Sequence, residues 1–586
     1  MGVMIAACSP KLKVADCQFN IQSMLVEIEK ADKAGCKVIL FPELSITSAS
    51  CGAVFSSPTL LDAASDALFQ LARETAGYDI YMVVGLPREY MKQIYSCAAV
   101  IHKGAIKAYI PKIYPDHEDN PLYSFSGYTV SEEDSVFNPG YVFSINGLPF
   151  RVVVGSDIQR IFLEDTVILN PSSIPVVAGE YRRYLDYMLS YSARGCSVAA
   201  VNPSFYESTS CSVYGGTAVI CSGGSLLSER KPFKDTEVYA IIENDFIRRE
   251  LPEVAASRGS VSTNPFIPAD NPAGFLDEIL AIQAHALVRR MLHTNSQRLV
   301  VGISGGLDST LTLLACVSAA GILKRDPRDT VTAVSMPAFG SSNRTRNNAQ
   351  LLCEGLGVDF RVINISEAVG RHLLDIGHDG KTPDLTYENA QARERTQILL
   401  DICNMTGGIM IGTGDLSELV LGFATYGGDL LSMYGINASL PKTLVRALVL
   451  HYGDKTGGIL KSILYDIADT PISPELLPPE QGTISQKTED IIGPYELHDF
   501  FIYQMFECRQ RPAGIYAAAC EAFGGVFTPE RILHWMSVFF QRFFSSAFKR
   551  ISLPESPKII KTDIGSFVLP GDISGIEWIK ETQSLK

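Results

Sequence analysis

Val301-Gly302-Ile303-Ser304-Gly305-Gly306-Leu307-Asp308-Ser309-Thr310 is the stretch on which the fold of the second half of the chain turns. An apolar strand runs into Ser-Gly-Gly, and a helix is expected from about Asp308. Two glycines let the backbone turn sharply and approach a ligand closely. The N–H groups of the turn and of the helix start then face an anion, which the helix dipole favours. Ser304, Ser309 and Thr310 add hydroxyl donors. Asp308 is a poor neighbour for phosphate unless it holds a Mg2+ that bridges to the phosphates. The spacing is neither that of a Walker A loop nor GxGxxG. A plain helix cap by Asp308 or Ser309 is the competing explanation, although a cap needs neither Gly-Gly nor three hydroxyls.

Around this loop, strand, turn and helix alternate. RLVVGIS (298–304), VTAVSM (331–336), VDFRVINI (358–365) and GIMIGT (408–413) read as strands between helical stretches. That alternation predicts a Rossmann-like, doubly wound parallel sheet. Phe275–His293 reads as an amphipathic helix ahead of it, and the polar, Pro-rich passage Glu250–Gly274 has the composition of a linker. The first half differs. Short apolar runs at Val3–Ala7, Val38–Phe41, Tyr81–Gly85, Cys97–Ile101 and Arg151–Gly155 are expected strands. Helical patterns lie at Ile21–Ala34 and Leu60–Thr75, and Gly215–Cys221 starts a hairpin through Gly223-Gly224. The expectation is an α/β protein with a layered domain over 1–245, a linker over 246–274 and a second domain over 275–586.

The 586 residues, 46% hydrophobic and 19% charged, are enough for two or three cores and too sparsely charged for a disordered chain. A net charge of −14 argues against a general nucleic-acid binder. It leaves room for a local positive site that takes one phosphorylated small molecule. No stretch approaches the ~20 apolar residues of a membrane helix, and the N-terminus lacks a signal-peptide layout. A cytoplasmic protein with no membrane partner is expected. The 13 cysteines form no CxxC pair, which suits reduced core cysteines better than zinc or redox pairs.

The strand–SGGLDS–helix arrangement resembles the signature of the ATP pyrophosphatase (PP-loop) family, which splits ATP between its α and β phosphates. Behind it come Thr386–Arg393 (TYENAQAR), Gly412–Glu418 (GTGDLSE) and Phe423–Gly428 (FATYGG). Pro441-Lys442-Thr443, Pro474-Glu475-Leu476, Gly493–Phe500 and Ser546–Arg550 follow. In this order the motifs resemble the NAD synthetase family from Phe275 to about Pro557. The resemblance implies a two-step reaction. The nicotinate carboxylate of deamido-NAD attacks the α-phosphate of ATP, giving an adenylate and pyrophosphate, and ammonia then displaces AMP to leave NAD. It implies ATP contacts at Ser304, Gly305, Gly306, Asp308, Ser309, Thr310 and Thr413, and Mg2+ at Asp308 and Glu418. It implies deamido-NAD contacts at Asn389, Glu418, Phe423, Ala424, Thr425, Tyr426 and Lys549. Asp308 and Lys549 are the implied catalytic groups, because pyrophosphate departure needs positive charge nearby. GTGD also reads as a turn with a helix cap, and Lys442 stays open between a site lysine and a solvated surface charge. A ligase acting on another adenylated substrate and a catalytically silent scaffold are the alternatives.

Upstream, Phe41-Pro42-Glu43-Leu44, Pro111-Lys112-Ile113-Tyr114-Pro115 and Val152-Val153-Val154-Gly155-Ser156-Asp157 each follow an expected strand. Their order resembles the nitrilase (carbon–nitrogen hydrolase) family from about Met4 to Ile242, which implies an αββα sandwich and a glutaminase. Glu43 matches the family's general base and Lys112 its oxyanion-stabilising lysine. The family's nucleophile is the Cys of a Cys-Glu-Asp that follows an apolar strand. Anchored on Asp157, that position is Gly155, which has no side chain to attack an amide. Thr47-Ser48-Ala49 and Ala53 stand where the family has Thr-Gly-Tyr and Asp, and no acidic match is obvious in DHEDNPLYSFSG (116–127). Loss of glutaminase activity is therefore expected, with ammonia as the nitrogen source. Ser156 after a one-residue shift, or Cys211 swinging in, are the alternatives. The resemblance also implies a homo-oligomer.

Overall fold

The computed structural model describes residues 2–114, 137–249, 262–339, 343–471, 488–562, 565 and 569–585. Residues 250–261 of the expected linker, Pro115, the DHEDNPLYSFSG stretch and Pro474-Glu475-Leu476 lie outside them. The chain divides into two compact units, Met1–Val176 with Glu180–Ala255, and Val177–Gly179 with Ala256–Lys586.

The first unit holds twelve strands among its described residues: β1 (Val3–Ala7), β2 (Val38–Leu40), β3 (Tyr81–Tyr90), β4 (Gln93–His102), β5 (Ala105–Pro111), β6 (Val142–Ile145), β7 (Leu148–Val152), β8 (Val167–Pro171), β9 (Ser197–Val201), β10 (Ala218–Ser222), β11 (Ser225–Arg230) and β12 (Tyr239–Ile242). They form two six-stranded sheets, β12-β1-β2-β3-β4-β5 and β11-β10-β9-β8-β7-β6. In each sheet parallel pairs at the centre are flanked by antiparallel ones. Strand periodicity assigns the faces. Val3, Ile5 and Ala7 join Phe150, Val152, Leu169 and Val201 in an apolar layer between the sheets. Ala6, Ile39 and Met82 point the other way, against the helices Cys17–Lys33 and Pro58–Glu74. The second sheet is covered by helix Glu180–Ser192 through Leu185, Met188 and Tyr191. With both faces buried, these strands read as unbroken apolar runs. The result is an αββα sandwich. The run Arg151–Gly155, expected as one strand, is corrected: β7 ends at Val152, and Gly155, at φ +54°, opens a short 3-10 turn over Gly155–Gln159.

The second unit is built on β13 (Arg298–Gly302), β14 (Val331–Ser335), β15 (Asp359–Val362), β16 (Gly408–Gly412) and β17 (Tyr434–Gly435). All pairings are parallel, in the order β15-β14-β13-β16-β17. The chain steps outward from β13 to β15, then returns to the other side of β13 with β16. The strand order reverses there, and ligands of such sheets bind in the crevice outside the carboxyl ends at that point. Ser304 and Thr413 leave those two strand ends. Among the described residues no helix is long and apolar enough to cross a membrane.

Candidate functional site

Helix Leu307–Ile322 begins directly after the loop, with Gly306 as its N-cap and no side chain capping it. The cap explanation for Asp308 and Ser309 therefore fails. Gly305 sits at φ +84°, and a Cβ there would stand 2.2 Å from the Thr345 carbonyl oxygen, so only glycine fits. The hydroxyls brace the loop. Gly306 N–H donates to Ser304 Oγ at 3.2 Å, and Ser309 Oγ donates to the Gly306 carbonyl at 3.1 Å. Thr310 is buried in the helix, and the cavity wall omits it. That cavity, about 310 Å3, is lined by Ser304, Gly306, Asp308, Ser309, Thr413, Glu418 and Lys442, with Val334, Met336 and Leu399 on an apolar side. Buried Asn437 ties the two loops together. Its Nδ2 donates to the Asp308 carbonyl at 3.0 Å and to the Thr413 carbonyl at 3.3 Å.

The charges converge on one point. Lys442 starts helix Lys442–Thr456, fixed there by its own N–H donating to Ser417 Oγ at 2.9 Å and by Thr443 N–H donating to Asp499 at 2.8 Å. Its Nζ lies 2.7 Å from Asp308 Oδ2, 2.9 Å from Asp415 Oδ2 and 2.8 Å from Glu418 Oε1. The reading of Lys442 as a solvated surface charge is corrected, since its side chain is 3% exposed. Burial disfavours its charge, but Asp308, Asp415 and Glu418 outweigh that and hold it protonated. Burial pushes the Asp415 and Glu418 carboxyls above their usual range, against the pull of Lys442. Asp415 serves twice. Its Oδ1 caps helix Leu416–Leu421 by accepting from Glu418 N–H at 2.8 Å, so GTGD is also a turn with a helix cap. Its other oxygen faces the lysine.

One ammonium offsets one of three carboxylates. Asp308 Oδ1 is buried with no hydrogen-bond partner, and Asp415 Oδ2 has only the Lys442 ammonium, at 2.9 Å. One oxygen from each of the three carboxylates lies within 4.8 Å of the others. An all-oxygen, anionic donor set of this size fits a hard divalent cation such as Mg2+. Asp415 was the member that sequence reasoning missed; its place three residues ahead of Glu418, after a strand end, was the available signal. Arg346 and Arg395 also line the cavity, with no motif to announce them.

Phe423 and Thr425 reach the same cavity, whereas Asn389, Ala424, Tyr426 and Lys549 do not line it. Asn389 Oδ1 accepts from Thr425 Oγ1 at 2.9 Å. Lys549 Nζ donates to the carbonyls of Gly422 at 2.9 Å and Ala424 at 2.8 Å, pinning the loop that carries Phe423 and Thr425. Burial lowers its pKa, partly opposed by Asp429. Tyr426 is exposed, its ring 6.0 Å from that of Phe548.

In the first unit, Glu43 and Lys112 are 3% and 4% exposed and paired at 3.2 Å. Ser96 Oγ donates to Glu43 Oε1 at 2.7 Å, and Ser173 Oγ to Oε2 at 2.9 Å. Leu44, next to Glu43, is held at φ +58°, a strained value for a leucine. Gly155 lies beside this pair: a Cβ on it would stand 2.6 Å from Lys112 Nζ and 2.8 Å from Glu43 Oε2. Its carbonyl accepts from Asn170 Nδ2 at 2.9 Å. Asp157 accepts from the N–H groups of Ile113 at 2.6 Å and Tyr114 at 2.9 Å, joining the turn to the segment that follows Lys112. Burial pushes its carboxyl up to about 6. Ser156 is half-buried one residue further into the turn, and the Cys211 side chain is exposed.

Residues 280–519 match the NAD synthase family and residues 4–137 the carbon–nitrogen hydrolase family. The second match contains Glu43 and Lys112 and stops ahead of Gly155. Across its length the chain is similar to the glutamine-dependent NAD(+) synthetase of Mycobacterium tuberculosis, at 32% identity over 99% of this chain and 97% of that protein. The Mycobacterium leprae protein of the same name is 30% identical, over 99% and 98%. In fold it is similar to the crystal structure of a glutamine-dependent NAD(+) synthetase from Cytophaga hutchinsonii, with a TM-score of 0.79 and 19% identity, covering 99% of this chain and 100% of that one. The Acinetobacter baumannii enzyme solved with ADP gives a TM-score of 0.65 at 21% identity, covering 97% and 99%. With these relatives spanning nearly all of its length, the chain belongs to the glutamine-dependent NAD(+) synthetase family.

Proposed function

We propose that this protein makes NAD from deamido-NAD and ATP through an adenylate, and that it takes its nitrogen from ammonia rather than glutamine. The synthetase part is the domain over 275–586. The loop Ser304–Ser309 and the uncapped helix start would cradle the phosphates, and Thr413 would meet ATP from the neighbouring strand end. Lys442 would offset phosphate charge as pyrophosphate leaves. Asp308 and Glu418, with Asp415 beside them, would hold Mg2+, whose charge would compensate the leaving pyrophosphate. Phe423 and Thr425 would bound the deamido-NAD site, with Lys549 acting through the loop it pins.

The single observation that carries the nitrogen assignment is Gly155 against Glu43 and Lys112. Amide hydrolysis on this scaffold needs a nucleophile between a base and an oxyanion donor. Here the base and the donor are paired with each other, and the residue beside them has no side chain. The domain over 1–245 is then a scaffold that has kept its core and lost its chemistry. A glutamine-analogue electrophile that traps active-site nucleophiles tests this on the full chain, read by mass spectrometry. No adduct in the first unit is expected. An adduct on Ser156 or Cys211 that blocks glutamine use would show a replacement nucleophile.

A further inference from the structure

If Asp308, Asp415 and Glu418 are the metal site, as proposed above, Lys442 already occupies it. Its Nζ stands 2.7, 2.9 and 2.8 Å from one oxygen of each carboxylate. Those are the three groups that could hold a cation. An ammonium at that point and a Mg2+ bound at about 2.1 Å from the same oxygens exclude each other. Lysine suits the part of a removable occupant: it carries a compact charge on a flexible four-carbon stem, where arginine would hold a rigid fork.

We propose that Lys442 is a tethered stand-in for the divalent cation. It closes the carboxylate cluster in the nucleotide-free protein and gives it up only to metal that arrives with a triphosphate. A bare divalent ion entering the cluster would leave the buried ammonium with no anionic partner, only the Tyr495 ring 5.2 Å away, and an uncompensated buried charge is costly. A triphosphate removes that penalty. Lys442 lines the same cavity as Ser304, Gly306 and Ser309, so the phosphates would supply the anion it needs on leaving the carboxylates. Metal and nucleotide are thereby coupled through one side chain, because each is favoured only in the state the other stabilises. The lysine also prevents the three carboxylates from collecting an unproductive metal ion before ATP arrives.

The test is Mn2+ binding to the full chain, followed by water-proton relaxation enhancement with and without ATP and with no deamido-NAD. Wild-type protein is expected to bind Mn2+ weakly alone and strongly with ATP. Lys442→Met is expected to bind Mn2+ without ATP roughly 10- to 100-fold more tightly than wild type, the usual range of coupling between two sites. Its thermal midpoint should rise with Mn2+, while that of wild type should not. An unchanged or weaker affinity in folded Lys442→Met would overturn the proposal. If that variant does not fold, wild type decides: equal Mn2+ affinity with and without ATP overturns it. Failure to bind Mn2+ even with ATP would sink the metal-site reading and the stand-in role together. NAD formation from ammonium, assayed separately, shows whether the functional reading survives either failure.

Discussion

Consider adding one methyl group at Gly155. In Gly155→Ala the new Cβ is forced to 2.6 Å from Lys112 Nζ and 2.8 Å from Glu43 Oε2, and the backbone stays at φ +54°. The left-handed backbone alone costs a residue with a Cβ roughly 1–2 kcal/mol. Displacing the buried Glu43–Lys112 pair and its Ser96 and Ser173 hydrogen bonds adds about 1–3 kcal/mol. Gly52 separates the two contributions. It has nearly the same φ, +53°, but nothing within 4 Å of where its Cβ would go. Gly52→Ala should therefore show the backbone cost alone, and Gly155→Ala should lose a further ~1–3 kcal/mol. At about 2–4 °C per kcal/mol for a domain of this size, the extra fall in melting temperature is roughly 2–12 °C. Differential scanning calorimetry of the full chain measures it. Gly155→Cys carries the same Cβ into the same contacts and should not by itself regain glutamine hydrolysis. Equal shifts at the two glycines, or a Gly155→Ala protein more stable than wild type, would refute the crowding argument.

Other substitutions test the second unit. Asp308→Ala should abolish pyrophosphate release while circular dichroism stays native, because Lys442 keeps two of its three carboxylates. Lys549→Ala should lower turnover and also stability by about 1–3 kcal/mol, since it removes two charged hydrogen bonds to the Gly422 and Ala424 carbonyls; turnover lost with stability intact would return Lys549 to a direct role on substrate. His498 gives a pH signature. It is buried, its Nε2 donates to the Ile492 carbonyl at 2.6 Å, and burial lowers its pKa to about 4. Between about 6.5 and 4 the unfolded chain takes up a proton that the folded one refuses, so stability is full above that window and falls through it by roughly 3 kcal/mol. Buried carboxyls such as Asp499 and Glu418, whose pKa values are raised, act in the opposite sense, so the comparison isolates the histidine: from pH 7 to pH 5 wild type should lose roughly 2 kcal/mol relative to His498→Phe in urea unfolding.

Much of this was legible in the residues because each signal had one physical meaning. Doubly buried parallel strands leave continuous apolar runs, so β1, β13 and β16 could be read almost to the residue. Gly305 declared a tight loop that only glycine can make. What stayed hidden depends on contacts across long sequence distances. Lys442 and Asp308 are 134 positions apart, and no local pattern says that a lysine after a proline will be buried among carboxylates. Asp415 looked like a helix cap and is one, yet its second oxygen does different work. Lys549 was read as a group aimed at phosphate, whereas the carbonyls it binds belong to a loop whose path is set by the fold. Gly155 was legible in the opposite sense: the missing side chain could be read directly, but its place against Glu43 and Lys112 needed three separate segments brought together.

One assay decides the nitrogen source: NAD formation by the full chain from deamido-NAD and Mg2+–ATP, with either ammonium or glutamine as the only nitrogen donor. Ammonium should support turnover, and glutamine should give neither NAD nor glutamate. Stoichiometric glutamate release coupled to NAD formation from glutamine would show instead that the first unit is a working glutaminase.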